Sequence, residues 1–137
     1  MVRRTVFVDT IAWVALSNEN DNLHEAAISE RRKLAREKVR IVTTNFVIDE
    51  SITLIRSRTN HANAVAFGEM IRQSKTINVV HISRELEEEA WQLFKQFYDK
   101  EFSFTDCTSF VVMRREGIWE CFTNDHHFEQ MGYRKLL

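Results

Sequence analysis

Four acidic residues stand where this chain could do chemistry: Asp9, Glu50, Asp106 and Asp125. Asp9 directly follows Val6-Phe7-Val8, and Asp125 stands just past Cys121-Phe122-Thr123, so each falls at the carboxyl end of a short buried strand. Glu50 lies in line with Val47 and Leu54 at helical spacing. That register turns its carboxylate inward, where it is costly unless paired or bound to a metal. Asp106 opens a helix on the same side as Phe110 and Met113, with Thr105 as the expected N-cap. Taken singly, each has a simpler reading. Asp9 and Asp125 could cap helices, Asp106 could serve a helix dipole, and Glu50 could pair with Arg56 or Arg58.

Taken together, the four point to a bound cation. Two like charges ~4 Å apart cost about 4 kcal/mol at an effective dielectric of ~20, so a fold keeps such a cluster only if something positive fills it. The chain offers no His/Cys set at zinc spacing, and hard oxygen ligands favour Mg²⁺ or Mn²⁺. Such an ion lowers the pKa of a bound water, orients a phosphodiester and stabilises charge on the leaving oxygen.

The elements that must position these acids alternate between strand and helix. Apolar β-branched runs predict strands over 5–8, 41–43, 77–82 and 118–123, with a last extended piece at 133–137. Helical spacing predicts helices over 11–16, 23–37, 45–58, 60–74 and 104–116, the last ended by Gly117, and a further helix capped by Ser83. A short helical turn precedes the final extended piece. Alternation of this kind predicts an α/β fold: a parallel sheet of four to five strands with helices on both faces. Ligands then bind outside the carboxyl ends of the strands, where Asp9 and Asp125 fall.

The totals fit a single domain over residues 1–137, with 44% apolar and 28% charged residues. No apolar stretch approaches ~18 residues, and Asp9 interrupts the first apolar segment, so neither a membrane span nor a signal peptide is expected and a cytoplasmic location is. Cys107 and Cys121 read as packing residues in a reducing compartment. A net charge of −1 argues against a dedicated duplex-DNA binder. Residues 23–40 carry six basic side chains against three glutamates, and residues 84–101 carry three against six acidic ones. Both runs read as solvated helix faces, with basic side chains beside a phosphate groove as the sharper alternative.

At this point the motifs resemble those of PIN-domain ribonucleases, and within them VapC-type toxins. The matching segments are Phe7-Val8-Asp9-Thr10, then Thr43 through Glu50, then Phe104-Thr105-Asp106-Cys107-Thr108-Ser109-Phe110, and finally Thr123-Asn124-Asp125-His126-His127-Phe128. Asp21, His24 and Ala27 fit a weaker loop-to-helix pattern of the same family. The resemblance covers essentially the whole chain. It implies a PIN-like three-layer sandwich and Mg²⁺- or Mn²⁺-dependent endonuclease action on RNA. It places Asp9, Glu50, Asp106 and Asp125 on the acidic positions, with Asp9, Asp106 and Asp125 as metal ligands and Thr10, Thr105 and Thr123 orienting carboxylates or water. It also implies a homodimer and a small antitoxin partner. Arg56 and Arg58 are the candidates for flanking phosphates. Asp49 is expected to face solvent, His126 and His127 to sit exposed in a turn with phosphate contact as the alternative, and Trp13, Trp91 and Trp119 to be core rather than base-stacking platforms.

Two other enzyme classes fit poorly. An aspartate-nucleophile phosphatase wants Asp-x-Asp after the first strand, where this chain has Ile11. A phospho-receiver domain needs paired acids there and a later lysine at a strand end. The remaining alternatives are a catalytically silent PIN-like binding module and a housekeeping RNA-processing nuclease without an antitoxin.

Overall fold

The computed structural model describes residues 3–137. In chain order the elements are β1 (Thr5–Val8), α1 (Thr10–Ser17), α2 (His24–Arg36), β2 (Arg40–Thr44), α3 (Asn45–Arg58), α4 (His61–Gln73), β3 (Ile77–Val80), α5 (Arg84–Gln96), α6 (Phe104–Glu116), β4 (Glu120–Phe122), α7 (His126–Gln130) and β5 (Arg134–Lys135). The five strands form one parallel sheet in the order β3-β2-β1-β4-β5. The central strand β1 is apolar on successive residues because both faces of a parallel sheet are covered. Val6, Phe7 and Val8 are all buried.

Topology locates the site. From β1 the chain steps outward to β2 and β3, then crosses to the other side of β1 for β4 and β5. Right-handed crossovers put α1 to α4 on one face and α5 to α7 on the other. The packing of α1 on α2 and α3, of α3 on α4, and of α5 on α6 agrees with that division. The direction of travel reverses between β1 and β4, and such a switch point opens a crevice at the carboxyl ends of the two strands. Asp9 follows one of those strands and Thr123 and Asp125 follow the other.

Local chemistry sets the element ends. Side chains of Thr44, Asn60 and Ser83 accept hydrogen bonds from Val47, Asn63 and Leu86 backbone N–H groups, capping α3, α4 and α5. Gly117 ends α6 with φ at 69°, and Ile118 N–H turns back to the Met113 carbonyl. That closure occupies Ile118, so β4 begins later than the expected 118. Strand β3 ends before the expected 82 because Ile82 N–H donates to the Asn45 side chain instead of a neighbouring strand (2.8 Å).

Two expectations about aromatic and capping residues fail. Trp13 is core, but Trp91 and Trp119 are exposed. Trp91 stacks on Phe94 along the outer side of α5, and the Arg134 guanidinium lies over the Trp119 ring. The N-cap of α6 is Ser103, not Thr105: its hydroxyl accepts from Asp106 N–H while the Asp106 carboxylate accepts from Ser103 N–H. Among the described residues, no helix is long and apolar enough to cross a membrane.

Candidate active site

Asp9 is the innermost acid. Its backbone N–H donates to the Phe122 carbonyl, which ties the end of β1 to the end of β4. Although it precedes α1, its side chain makes no capping bond there. Instead Asp9 Oδ2 accepts from the Thr123 hydroxyl at 2.8 Å. The same hydroxyl accepts from Asp125 N–H at 3.0 Å, so Thr123 links the two aspartates. From β2, Thr43 donates to the Val8 carbonyl and accepts from the Trp13 indole, fixing the strand that carries Asp9.

Asp106 comes from the first turn of α6, held by its capping box with Ser103. It is buried because α6 is enclosed from Asp106 through Met113. Asp125 caps α7, accepting from His127 N–H at 2.9 Å. The helix-dipole reading of Asp106 and the capping reading of Asp125 are thus compatible with the structure, and the charges of both also act on Asp9. Glu50 is half-buried on α3 and close enough for its charge to act on Asp106. Asp49 beside it is exposed, as expected.

Among the described residues, no lysine or arginine pairs with Asp9, Glu50, Asp106 or Asp125, and the alternative pairing of Glu50 with Arg56 or Arg58 does not form. Burial pushes the Asp9 carboxyl up to about 7, opposed by the Thr123 hydrogen bond and reinforced by the charges of Asp106 and Asp125. Burial also raises Asp106, against the Ser103 backbone hydrogen bond, with Asp125 and Glu50 adding to the rise and His127 opposing it.

His127 is the residue that sequence reasoning missed. It was expected to be exposed, yet its side chain is only 16% accessible, while His126 beside it is exposed. Its Nδ1 stands 3.3 Å from Asp106 Oδ2 and 3.2 Å from Asp125 Oδ1. Those are ion-pair distances, but the nitrogen is buried and not aligned for a hydrogen bond to either oxygen. The ring is held there by Phe102, edge-on at 5.4 Å between centroids. The neighbouring Phe128 is fully buried against Phe110, which turns the start of α7 inward.

The three threonines differ. Thr123 orients Asp9. Thr10 is buried with its hydroxyl unpartnered. Thr105 is half-buried and accepts through its carbonyl from Thr108 and Ser109. Arg56 and Arg58 are not brought to the cluster. They lie in the last turn of α3, about 9 and 12 Å further along the axis than Glu50 and roughly 120° and 80° around it. Arg58 lines a separate hollow with Asn18, Asn20 and Asn63, and Arg56 lines another with His61 and Glu69.

The residues present fit a divalent cation. They offer oxygen ligands that no lysine or arginine among the described residues pairs with, and two buried polar atoms, Thr10 Oγ1 and His127 Nδ1, without a hydrogen bond.

Comparison with known proteins agrees with this fold. Residues 6–132 match the family model of the PIN domain. A curated relative, the 23S rRNA-specific endonuclease VapC20 of Mycobacterium tuberculosis, is 38% identical over 128 residues, covering 93% of this chain and 95% of the relative. A VapC ribonuclease of Archaeoglobus fulgidus is 35% identical over 74 residues, 53% of this chain and 46% of that protein. The crystal structure of M. tuberculosis VapC20, described as a sarcin–ricin loop-cleaving toxin, superposes with a TM-score of 0.85 at 37% identity, covering 94% of this chain and 96% of that one. FitAcB from Neisseria gonorrhoeae shares the fold, with a TM-score of 0.70 at 13% identity over 97% of each chain. The chain belongs to the PIN-domain family and is an endoribonuclease of its VapC type.

Proposed function

We propose that this ribonuclease cuts RNA at the Asp9–Asp106–Asp125 cluster with Mg²⁺ or Mn²⁺ bound there, and that its substrate is a structured loop of large-subunit ribosomal RNA. The observation that carries the site is the set of carboxylates at the β1/β4 switch point, with Asp9 and Asp106 buried and Asp125 half-buried, that no lysine or arginine among the described residues neutralises. What supports the substrate is identity across nearly the full length of a relative named for 23S rRNA.

Asp9, Asp106 and Asp125 hold the ion, and Glu50 either completes its shell or accepts the proton of the attacking water. When bound, the ion supplies a water of lowered pKa and stabilises the leaving oxygen. Thr123 keeps Asp9 Oδ2 in one orientation, leaving Oδ1 for the ligand role. Thr10 offers its unpartnered hydroxyl to a carboxylate or a water at the same place. Thr105, at the mouth of α6, is assigned the same duty toward Asp106. Burial of Asp9 and Asp106 favours their protonated forms, so the cation and protons compete for the same oxygens. The protein acts in the cytoplasm as the toxin of a pair held inactive by a small antitoxin, and it assembles as a homodimer.

Incubation of the purified chain with a 23S rRNA fragment containing the sarcin–ricin loop tests this reading. Added Mn²⁺ should produce one mapped cut within the loop. Cutting spread along the fragment, or none, would reject the proposed substrate.

A further inference from the structure

The unexplained group in the site is a nitrogen among oxygens. His127 Nδ1 is buried, faces carboxylate oxygens of two different elements, and is aligned for a hydrogen bond to neither. His126 brings a second Nδ1 to 3.8 Å from the same Asp125 oxygen. The ligand atoms of Asp125, His126 and His127 all lie within 4.8 Å of one another.

These spacings match the edges of a coordination shell. Two donors each about 2.1 Å from one ion stand roughly 3.0 Å apart at a right angle and roughly 3.4 Å apart at the tetrahedral angle. The distances from His127 Nδ1, 3.2 and 3.3 Å, fall in that interval, and the His126 distance lies slightly outside it. An ion shared by Asp125, His126 and His127 would also give the His127 nitrogen the directed partner that no hydrogen bond among the described residues supplies.

We propose that His127, assisted by His126, makes the Asp106–Asp125 side of the cluster a mixed nitrogen–oxygen site that takes a first-row transition dication ahead of Mg²⁺. Mg²⁺ keeps its waters and selects hard oxygen, whereas imidazole nitrogen suits the transition ions. The inference rests on the metal-dependent reading above and deepens it, because it distinguishes among the ions that one acidic cluster would otherwise accept alike. Phe102 is the packing support that keeps the ring aimed at the two aspartates.

Pulsed electron paramagnetic resonance on the Mn²⁺-loaded protein is the test. Wild type should show ¹⁴N modulation that changes to the ¹⁵N pattern when histidine alone is ¹⁵N-labelled. His127→Phe, which keeps a ring against Phe102, should lose most of that signal. The variant should also bind Mn²⁺ about tenfold more weakly, with Mg²⁺ affinity moved less than twofold. The labelling arm uses wild-type protein, so the result stands even if the variant misfolds. Mn²⁺ binding without histidine nitrogen coupling overturns this inference and leaves the metal-dependent reading intact. No Mn²⁺ binding at all overturns both.

Discussion

The two ends of strands β1 and β4 treat buried carboxylates in opposite ways. At the amino ends, Glu120 is buried and fully answered: Arg4 Nε and Nη2 donate to its two oxygens at 2.8 and 3.1 Å, and Arg134 approaches at 3.3 Å. Arg4 also reaches Glu37 on the far side. At the carboxyl ends, Asp9, Asp106 and Asp125 lie close enough for their charges to act on one another, beside hydroxyls, backbone N–H groups and imidazole, but no lysine or arginine among the described residues. One end spends its carboxylate on holding strands together. The other leaves charge unmatched within the protein, which is the arrangement a cation requires.

The contrast can be broken from either end. The largest effect is expected from Asp106→Asn. The amide keeps an oxygen for the Ser103 N–H, so the fold and the α6 cap should survive while RNA cleavage falls by at least about 1,000-fold, some 4 kcal/mol of lost transition-state stabilisation. A variant that cuts normally would show that the cluster is not the site.

Next in size is a pH effect on the metal-free protein. Burial raises Asp9 from 3.8 to about 7. Between those values the folded state holds a proton that the unfolded chain has released, so stability falls as pH rises through this window, by on the order of 4 kcal/mol. Urea denaturation in EDTA should therefore give a lower midpoint at pH 8 than at pH 5. A midpoint that climbs over that interval would mean that Asp9 is ionised at little cost.

At the opposite end, Glu120→Ala leaves Arg4 and Arg134 without their shared partner. Arg4 is partly exposed and keeps Glu37, so the loss should be about 2 kcal/mol by chemical denaturation, below the range for a fully enclosed pair. Calorimetric metal affinity should not change. A smaller effect is expected from Thr123→Val, which removes the hydroxyl that orients Asp9. Metal affinity should weaken about tenfold while cleavage at saturating metal stays near normal.

How much of this was legible in the sequence depends on whether the signal was local. Asp9 and Asp125 could be placed because each adjoins an apolar run, and parallel strands bring their carboxyl ends to one side. Glu50 could be placed from the Val47–Leu54 stripe. The Ser103–Asp106 capping box leaves a trace in its Ser-x-x-Asp spacing, which the choice of Thr105 as N-cap overlooked. His127 was not legible, because its direction follows from Phe128 packing on Phe110 and from Phe102 closing over the ring. Nor was the Arg4–Glu120 pair, whose members are 116 residues apart and meet only through strand register. Trp91 and Trp119 misled because large aromatics usually signal core, and their partners Phe94 and Arg134 lie on the surface side of their elements.

The most direct test is a Mn²⁺ titration of the EDTA-stripped protein, with cleavage of end-labelled RNA and calorimetric binding followed side by side. If the unmatched carboxylates work by holding a cation, cleavage is absent in EDTA and rises with the same midpoint as binding. Undiminished cleavage in EDTA would contradict the account.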